Sequence, residues 1–131
     1  MNNVALTGRL TRDPELRYIP TGTAVTKFTL AVDKNLSREK KEELESKGQP
    51  TADFINIVVW GKQAENVANF TSKGKLIAVQ GRIQSGSYEK DGQRVYTTDV
   101  VANNVEFLEW RDKAESVPDG FHPTDNDDIP F

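Results

Sequence analysis

The chain has 131 residues, 36% of them hydrophobic, with one histidine and no cysteine. That suits one modest core plus an appendage and excludes disulfides and thiolate metal sites. The net charge of −3 is uneven: residues 1–110 carry 15 Lys+Arg against 14 Asp+Glu, and residues 111–131 carry 2 against 6, so a near-neutral body precedes an acidic segment.

Strand patterns dominate the body. Val4, Leu6, Gly8 and Leu10 alternate with polar positions and predict a half-buried first strand. Arg12-Asp13-Pro14 interrupts it, and Leu16 and Tyr18 are expected to continue it; Pro20-Thr21-Gly22-Thr23 is a turn. A second strand is predicted from Ala24 to Val32. Lys34 to Thr51, polar and charge-rich, reads as a long mobile hairpin tip with a helical turn around Glu39 to Glu45. The third strand runs from Phe54 to Trp60. Between Gly61 and Thr71 the period changes, with Ala64, Val67 and Ala68 on one helical face, and this is the one convincing helix.

A fourth strand is predicted from Leu76 to Tyr88 and a fifth from Arg94 to Phe107, joined by an Asp91-Gly92 turn that supplies the positive φ of a tight hairpin. Five strands with a helix between the third and fourth is the order of an OB-fold barrel, a mostly β architecture. Residues 111–131 contain Pro118, Gly120, Pro123 and Pro130 and lack any apolar period. They are expected to form a disordered acidic tail, because they cannot bury enough surface to offset the entropy of ordering.

The third strand carries the clearest functional signal. Ile55, Ile57 and Val59 suit a barrel interior, whereas the opposite parity presents Phe54, Asn56, Val58 and Trp60. Phe54 and Trp60 lie six residues, ~20 Å, apart. Each is either a platform for stacking unpaired bases or a cap on the core or a subunit contact. On the fourth strand Ile77, Val79, Gly81 and Ile83 read as inward, and Gln80, Arg82, Gln84 and Tyr88 as outward. Lys62, Lys73 and Lys75 flank the helix and are candidates for phosphate contact, or simply solubilising.

Enzyme chemistry finds little support. The single histidine, His122, lies in the tail, so the body offers no histidine triad or metal cluster, and no phosphate-binding loop is present. No cofactor or metal is expected. The sequence holds no apolar run long enough to span a membrane, and its opening lacks the features of a signal peptide; a cytoplasmic protein is expected. At the other end, Asp125, Asp127 and Asp128 precede Ile129, Pro130 and Phe131. A purely solvating tail needs no such apolar tip. This pattern suits insertion of Phe131 into a partner's pocket, with the aspartates on a basic rim.

Several segments together resemble the bacterial single-stranded-DNA-binding protein family. They are Asn3 to Leu10, Asp13 to Tyr18 with Pro20-Thr21-Gly22, Phe54 through Trp60-Gly61-Lys62 to Glu65, Lys73-Gly74, Val79 to Arg82, Tyr96 to Val100, and above all Asp-Asp-Ile-Pro-Phe at 127–131. The resemblance implies base stacking on Phe54, Trp60, Phe70 and Tyr88, and phosphate contacts from Lys62 and Lys73. From the residues alone, Phe70 reads as helix packing. A family stacking position, often tryptophan, appears here as Leu36.

The resemblance further implies a homotetramer that binds single-stranded DNA without sequence specificity in replication, recombination and repair. The tip would recruit proteins of those processes, in a cytoplasmic, nucleoid-associated setting. Many members carry a longer linker than the segment after Trp110, which as a flexible chain would reach ~25 Å. Two other classes stay open from the pattern. An OB-fold binder of structured RNA or oligosaccharide leaves the tip unexplained, and a small nuclease would need a carboxylate-bound metal.

Overall fold

A computed structural model describes residues 1–110. In chain order the elements are β1 (Val4–Leu10), β2 (Glu15–Tyr18), β3 (Ala24–Asp33), α1 (Arg38–Ser46), β4 (Ala52–Trp60), α2 (Lys62–Phe70), β5 (Leu76–Lys90) and β6 (Gln93–Phe107). The strands form one sheet in the order β1-β5-β6-β4-β3-β2, and β1 also pairs with β3. Five strands therefore close into a near-barrel ring, with β2 attached outside it on β3. Among the described residues the single parallel contact is β4 with β6, through Ile57↔Val100 and Val58↔Val101.

Alternation on the strands fills the ring. Leu10, Phe28, Leu30, Ile57, Val59, Ile77, Val79 and Val100 are buried together, each side chain contributing roughly 1.5–3 kcal/mol. Helix α2 adds Ala64 and Val67 to this cluster. It is held there by polar groups as well. The buried Thr26 Oγ1 donates to the Ala64 carbonyl at 2.7 Å, so its hydroxyl keeps a partner away from water. Gln63 spans to β6, donating to the Asn103 carbonyl at 2.7 Å and accepting from Val105 N at 3.1 Å. Asn103 is the residue that the β5–β6 register skips, between Gln80↔Asn104 and Gly81↔Ala102. Gln63 thus satisfies the backbone that this bulge frees from the ladder.

Three expectations are corrected. Leu16 and Tyr18 do not continue the first strand; after Arg12-Asp13-Pro14 the chain turns into a separate β2, paired antiparallel with β3 from Glu15↔Lys27 to Tyr18↔Ala24. In the 34–51 segment the helical turn expected around Glu39 to Glu45 is a full second helix, α1, with Ser37 as N-cap accepting from Lys40 N at 3.3 Å. No residue of α1 is buried. An apolar period was therefore absent, and the helix rests on residue propensity, the cap and pairs such as Lys47–Glu43 at 3.0 Å. Ile83 does not point into the core: it is 48% exposed. Beyond Gly81 every residue of β5 is exposed, and past the β4–β6 contact at Val100 the strands β5 and β6 run on as a two-stranded ribbon. Its tip is the expected tight turn, with φ of 52° at Asp91 and 79° at Gly92. The acidic tail expected over residues 111–131 lies outside the described residues.

Behind the ring, the chain after β6 is latched to β1 and β5. Arg9 Nη1 lies 2.7 Å from Glu109 Oε1, and the same oxygen accepts from Leu76 N at 3.1 Å. The Arg9 hydrogen bond, and then the Leu76 N–H, hold the Glu109 carboxyl below its ordinary range.

Closure of the ring depends on a close approach at Gly8. A Cβ there would strike the Ala31 carbonyl, backbone that cannot rotate away. Gly8→Val is expected to destabilise the protein by about 1–3 kcal/mol. Gly86→Ala, in the ribbon, would meet only the Thr97 hydroxyl and should change stability by less than about 0.5 kcal/mol. Thermal unfolding followed by circular dichroism reads both.

Candidate nucleic-acid interface

The outer face of β4 follows from its inner one. With Ile55, Ile57 and Val59 turned toward the core, Phe54, Asn56, Val58 and Trp60 stand on the opposite side. Residues paired across strands share a face, so the strand registers extend this face over three neighbours. On β3, Val25, Lys27, Thr29 and Ala31 lie opposite Trp60, Val58, Asn56 and Phe54. On β6, Val101 sits beside Val58, and Asp99, Thr97 and Val95 follow by alternation. On β5, Arg82, Gln84, Gly86 and Tyr88 pair with Val101, Asp99, Thr97 and Val95.

The face therefore has an ordered composition. At one end Phe54 is 59% exposed, at the other Trp60 is 46% exposed, and Tyr88 on the ribbon is 51% exposed. Each of these three side chains keeps about half its surface open to a ligand. One row between them consists of Lys27, the apolar pair Val58 and Val101, and Arg82. Lys27 and Arg82 are both exposed cations, set on either side of that apolar pair. Arg82 Nη1 donates to Gln84 Oε1 at 3.1 Å, along its own strand. Aromatic planes alternating with cations are the ingredients of a surface for unpaired nucleic acid.

Of the residues singled out from sequence, Phe54, Trp60, Arg82 and Tyr88 come together on this face. Lys62 is the first residue of α2, exposed, and two positions after Trp60. Phe70 belongs elsewhere. It closes α2 and packs edge-on against Phe107 (6.1 Å between centroids) and Trp110 (5.4 Å), while 42% of it stays exposed. Lys73 and Lys75 lie in the α2–β5 turn near Phe70. That turn is fixed by Lys73 N donating to Asp13 Oδ1 at 2.8 Å and by the Lys75 carbonyl accepting from Leu10 N at 3.2 Å. Leu36, half-buried, precedes the α1 cap. Asp125, Asp127, Asp128, Ile129, Pro130 and Phe131 lie outside the described residues.

Sequence reasoning missed Lys27, although the alternation of β3 already placed it beside Val25 and Thr29. It also missed Asp99, because the outward parity of β6 is legible only from its pairing with β4. Two further exposed tyrosines are off this face. Tyr96 stands on the reverse of the ribbon. Tyr18 donates to Glu65 Oε2 at 3.3 Å, and the Glu65 charge pushes its phenol above the ordinary range.

Comparison with known proteins gives a consistent picture. The profile described as "Single-strand binding protein family" matches residues 1–108. The single-stranded DNA-binding protein of Clostridium tetani is 55% identical over 133 residues, covering 100% of this chain and 86% of the relative. Single-stranded DNA-binding protein 2 of Clostridium acetobutylicum is 55% identical over 141 residues, spanning 100% of both. Single-stranded DNA-binding protein 1 of Streptococcus pyogenes is 49% identical over 140 residues, covering 100% of this chain and 99% of the relative.

Proposed function

The chain belongs to the single-strand binding protein family, and from that premise we propose that it coats single-stranded DNA in replication, recombination and repair along the outer face of β4, β6 and β5. It is a binding protein, not an enzyme. The observation that carries the assignment of the face is the exposure of Phe54, Trp60 and Tyr88 on one side of the sheet, around the Lys27 and Arg82 cations. Bases stack on the three rings. Lys62 and Arg82 take phosphates, and Phe70 with Lys73 and Lys75 forms an outlying contact at the α2 end of the barrel. Stacking tolerates any base because every base has a π-face, and phosphate contacts carry no sequence information.

The ring of five strands, plugged at one end by α2, supports an OB-fold assignment for residues 1–110. Along Val4–Thr7, β1 pairs with β5 on one side, while its β3 pairing covers only Arg9 and Leu10. An open strand edge of this kind supports association with further copies, in keeping with a homotetramer. Among the described residues no helix is long and apolar enough to cross a membrane; a cytoplasmic, nucleoid-associated location follows from the function. The segment Asp125–Phe131 serves as the docking tip for replication, recombination and repair proteins, its Ile129 and Phe131 entering an apolar pocket and its aspartates pairing with basic residues.

Phe54→Ala, Trp60→Ala and Tyr88→Ala are each expected to weaken binding of an unpaired thymidine oligomer by about 1–3 kcal/mol, the range typical of base–aromatic stacking. Fluorescence titration checks this, and unchanged affinity in all three would remove the stacking surface.

Deletion of Asp125–Phe131 is expected to abolish capture of repair and replication proteins while leaving oligomer affinity within about twofold. Loss of strand binding on deletion would break this division of labour.

A further inference from the structure

On the proposed binding face, the row between Phe54 and Val58 is unlike its neighbours. It brings together two register pairs, Thr29↔Asn56 across β3 and β4 and Gln84↔Asp99 across β5 and β6. Asn56 and Asp99 each come one residue before the β4–β6 pair Ile57↔Val100, the first pair of that ladder, so the two register pairs adjoin there. Adjacent strands lie ~4.8 Å apart. A spacing of that order matches the edge of one base lying over the middle strand.

The hydrogen bonds already made in this row set what remains on offer. Thr29 Oγ1 donates to Asn56 Oδ1 at 3.3 Å, which leaves the Asn56 amide nitrogen as the outward group. Arg82 occupies Gln84 Oε1 at 3.1 Å, which leaves the Gln84 amide nitrogen. Between them, the half-buried Asp99 carboxylate has no hydrogen bond or ion pair with any described residue. An ionised carboxylate is an acceptor only. The row thus presents donor, acceptor, donor. An anion on a face for a polyanion subtracts affinity unless it makes a specific bond, and so Asp99 calls for one.

We propose that Asp99, flanked by Asn56 and Gln84, reads the Watson–Crick edge of a thymine or uracil base. That edge presents acceptor, donor, acceptor: O4, N3–H and O2. Cytosine carries an acceptor at N3, which faces the carboxylate unfavourably, and adenine carries one at N1. Guanine matches at O6 and N1–H but turns a donor amine toward the remaining amide. Bases splayed from a single strand are open to reading on this edge. The preference is laid over stacking that accepts all four bases. This inference rests on the outer face being the strand-binding face.

The test uses two chemically synthesised strands of equal length, one of thymidine and one of 3-methylthymidine, in which the N3 proton is replaced by a methyl group. They are titrated against the full chain and against Asp99→Ala and Asp99→Val. Removing Asp99 also removes a repelling charge and shifts all affinities, so the ratio between the two strands is the readout. The unaltered protein is expected to favour thymidine by about three- to tenfold, the effect of one hydrogen bond. In both variants the ratio should fall to within about twofold of unity. Valine is a good strand former and guards against a folding defect in the alanine variant. A ratio near unity in the unaltered protein, or the same ratio in the folded variants, would overturn the role of Asp99. Failure of the unaltered protein to bind thymidine at all would instead overturn the underlying assignment of the face.

Discussion

Everything in this molecule follows from the two-sidedness of β4. Its residues alternate between a ring of strands that must be filled and a face on which Phe54, Asn56 and Trp60 stay exposed. Ile57 and Val59 are fully buried while Phe54 and Trp60, on the same strand, keep about half their surface in water. Burying those rings would have been favourable. The fold instead commits the aliphatic side to the core and leaves the aromatic side open, which is the arrangement a stacking ligand requires.

The neighbours of β4 convert an open strand into a surface. β3 contributes Lys27 and β5 contributes Arg82, while β6, inserted between β4 and β5, keeps them in register. The near-neutral charge of residues 1–110 is compatible with this because position outweighs sum. Some acidic groups are held in pairs away from the face, such as Asp53 with Lys34 at 2.6 Å and Glu109 with Arg9 at 2.7 Å. Asp99, paired in register with Gln84, stands on the face itself.

Much of this was legible in the sequence. The period of two on β4 separated Ile57 and Val59 from Phe54 and Trp60 without any knowledge of pairing, and the period of helix α2 was equally plain. What stayed hidden has physical reasons. The helical turn expected around Glu39 to Glu45 is the full helix α1, whose extent a hydrophobic pattern could not report because it buries nothing. Ile83 reads as core because alternation along β5 says nothing about where the barrel ends. The roles of Lys27 and Asp99 depend on register between strands distant in sequence, and β6 carries a bulge at Asn103 that resets its parity midway. Phe70 shows the opposite case: the residue pattern read it as packing, and its ring does lie against Phe107 and Trp110.

The central claim, that unpaired DNA lies along the outer face of β4, β6 and β5, is tested most directly by photo-cross-linking. A single strand carrying 5-iodouracil is irradiated with the full chain, and the adducts are located by mass spectrometry. The account predicts adducts at Phe54, Trp60 and Tyr88. Adducts confined to Tyr18 and Tyr96, which are as exposed but stand off this face, would contradict it.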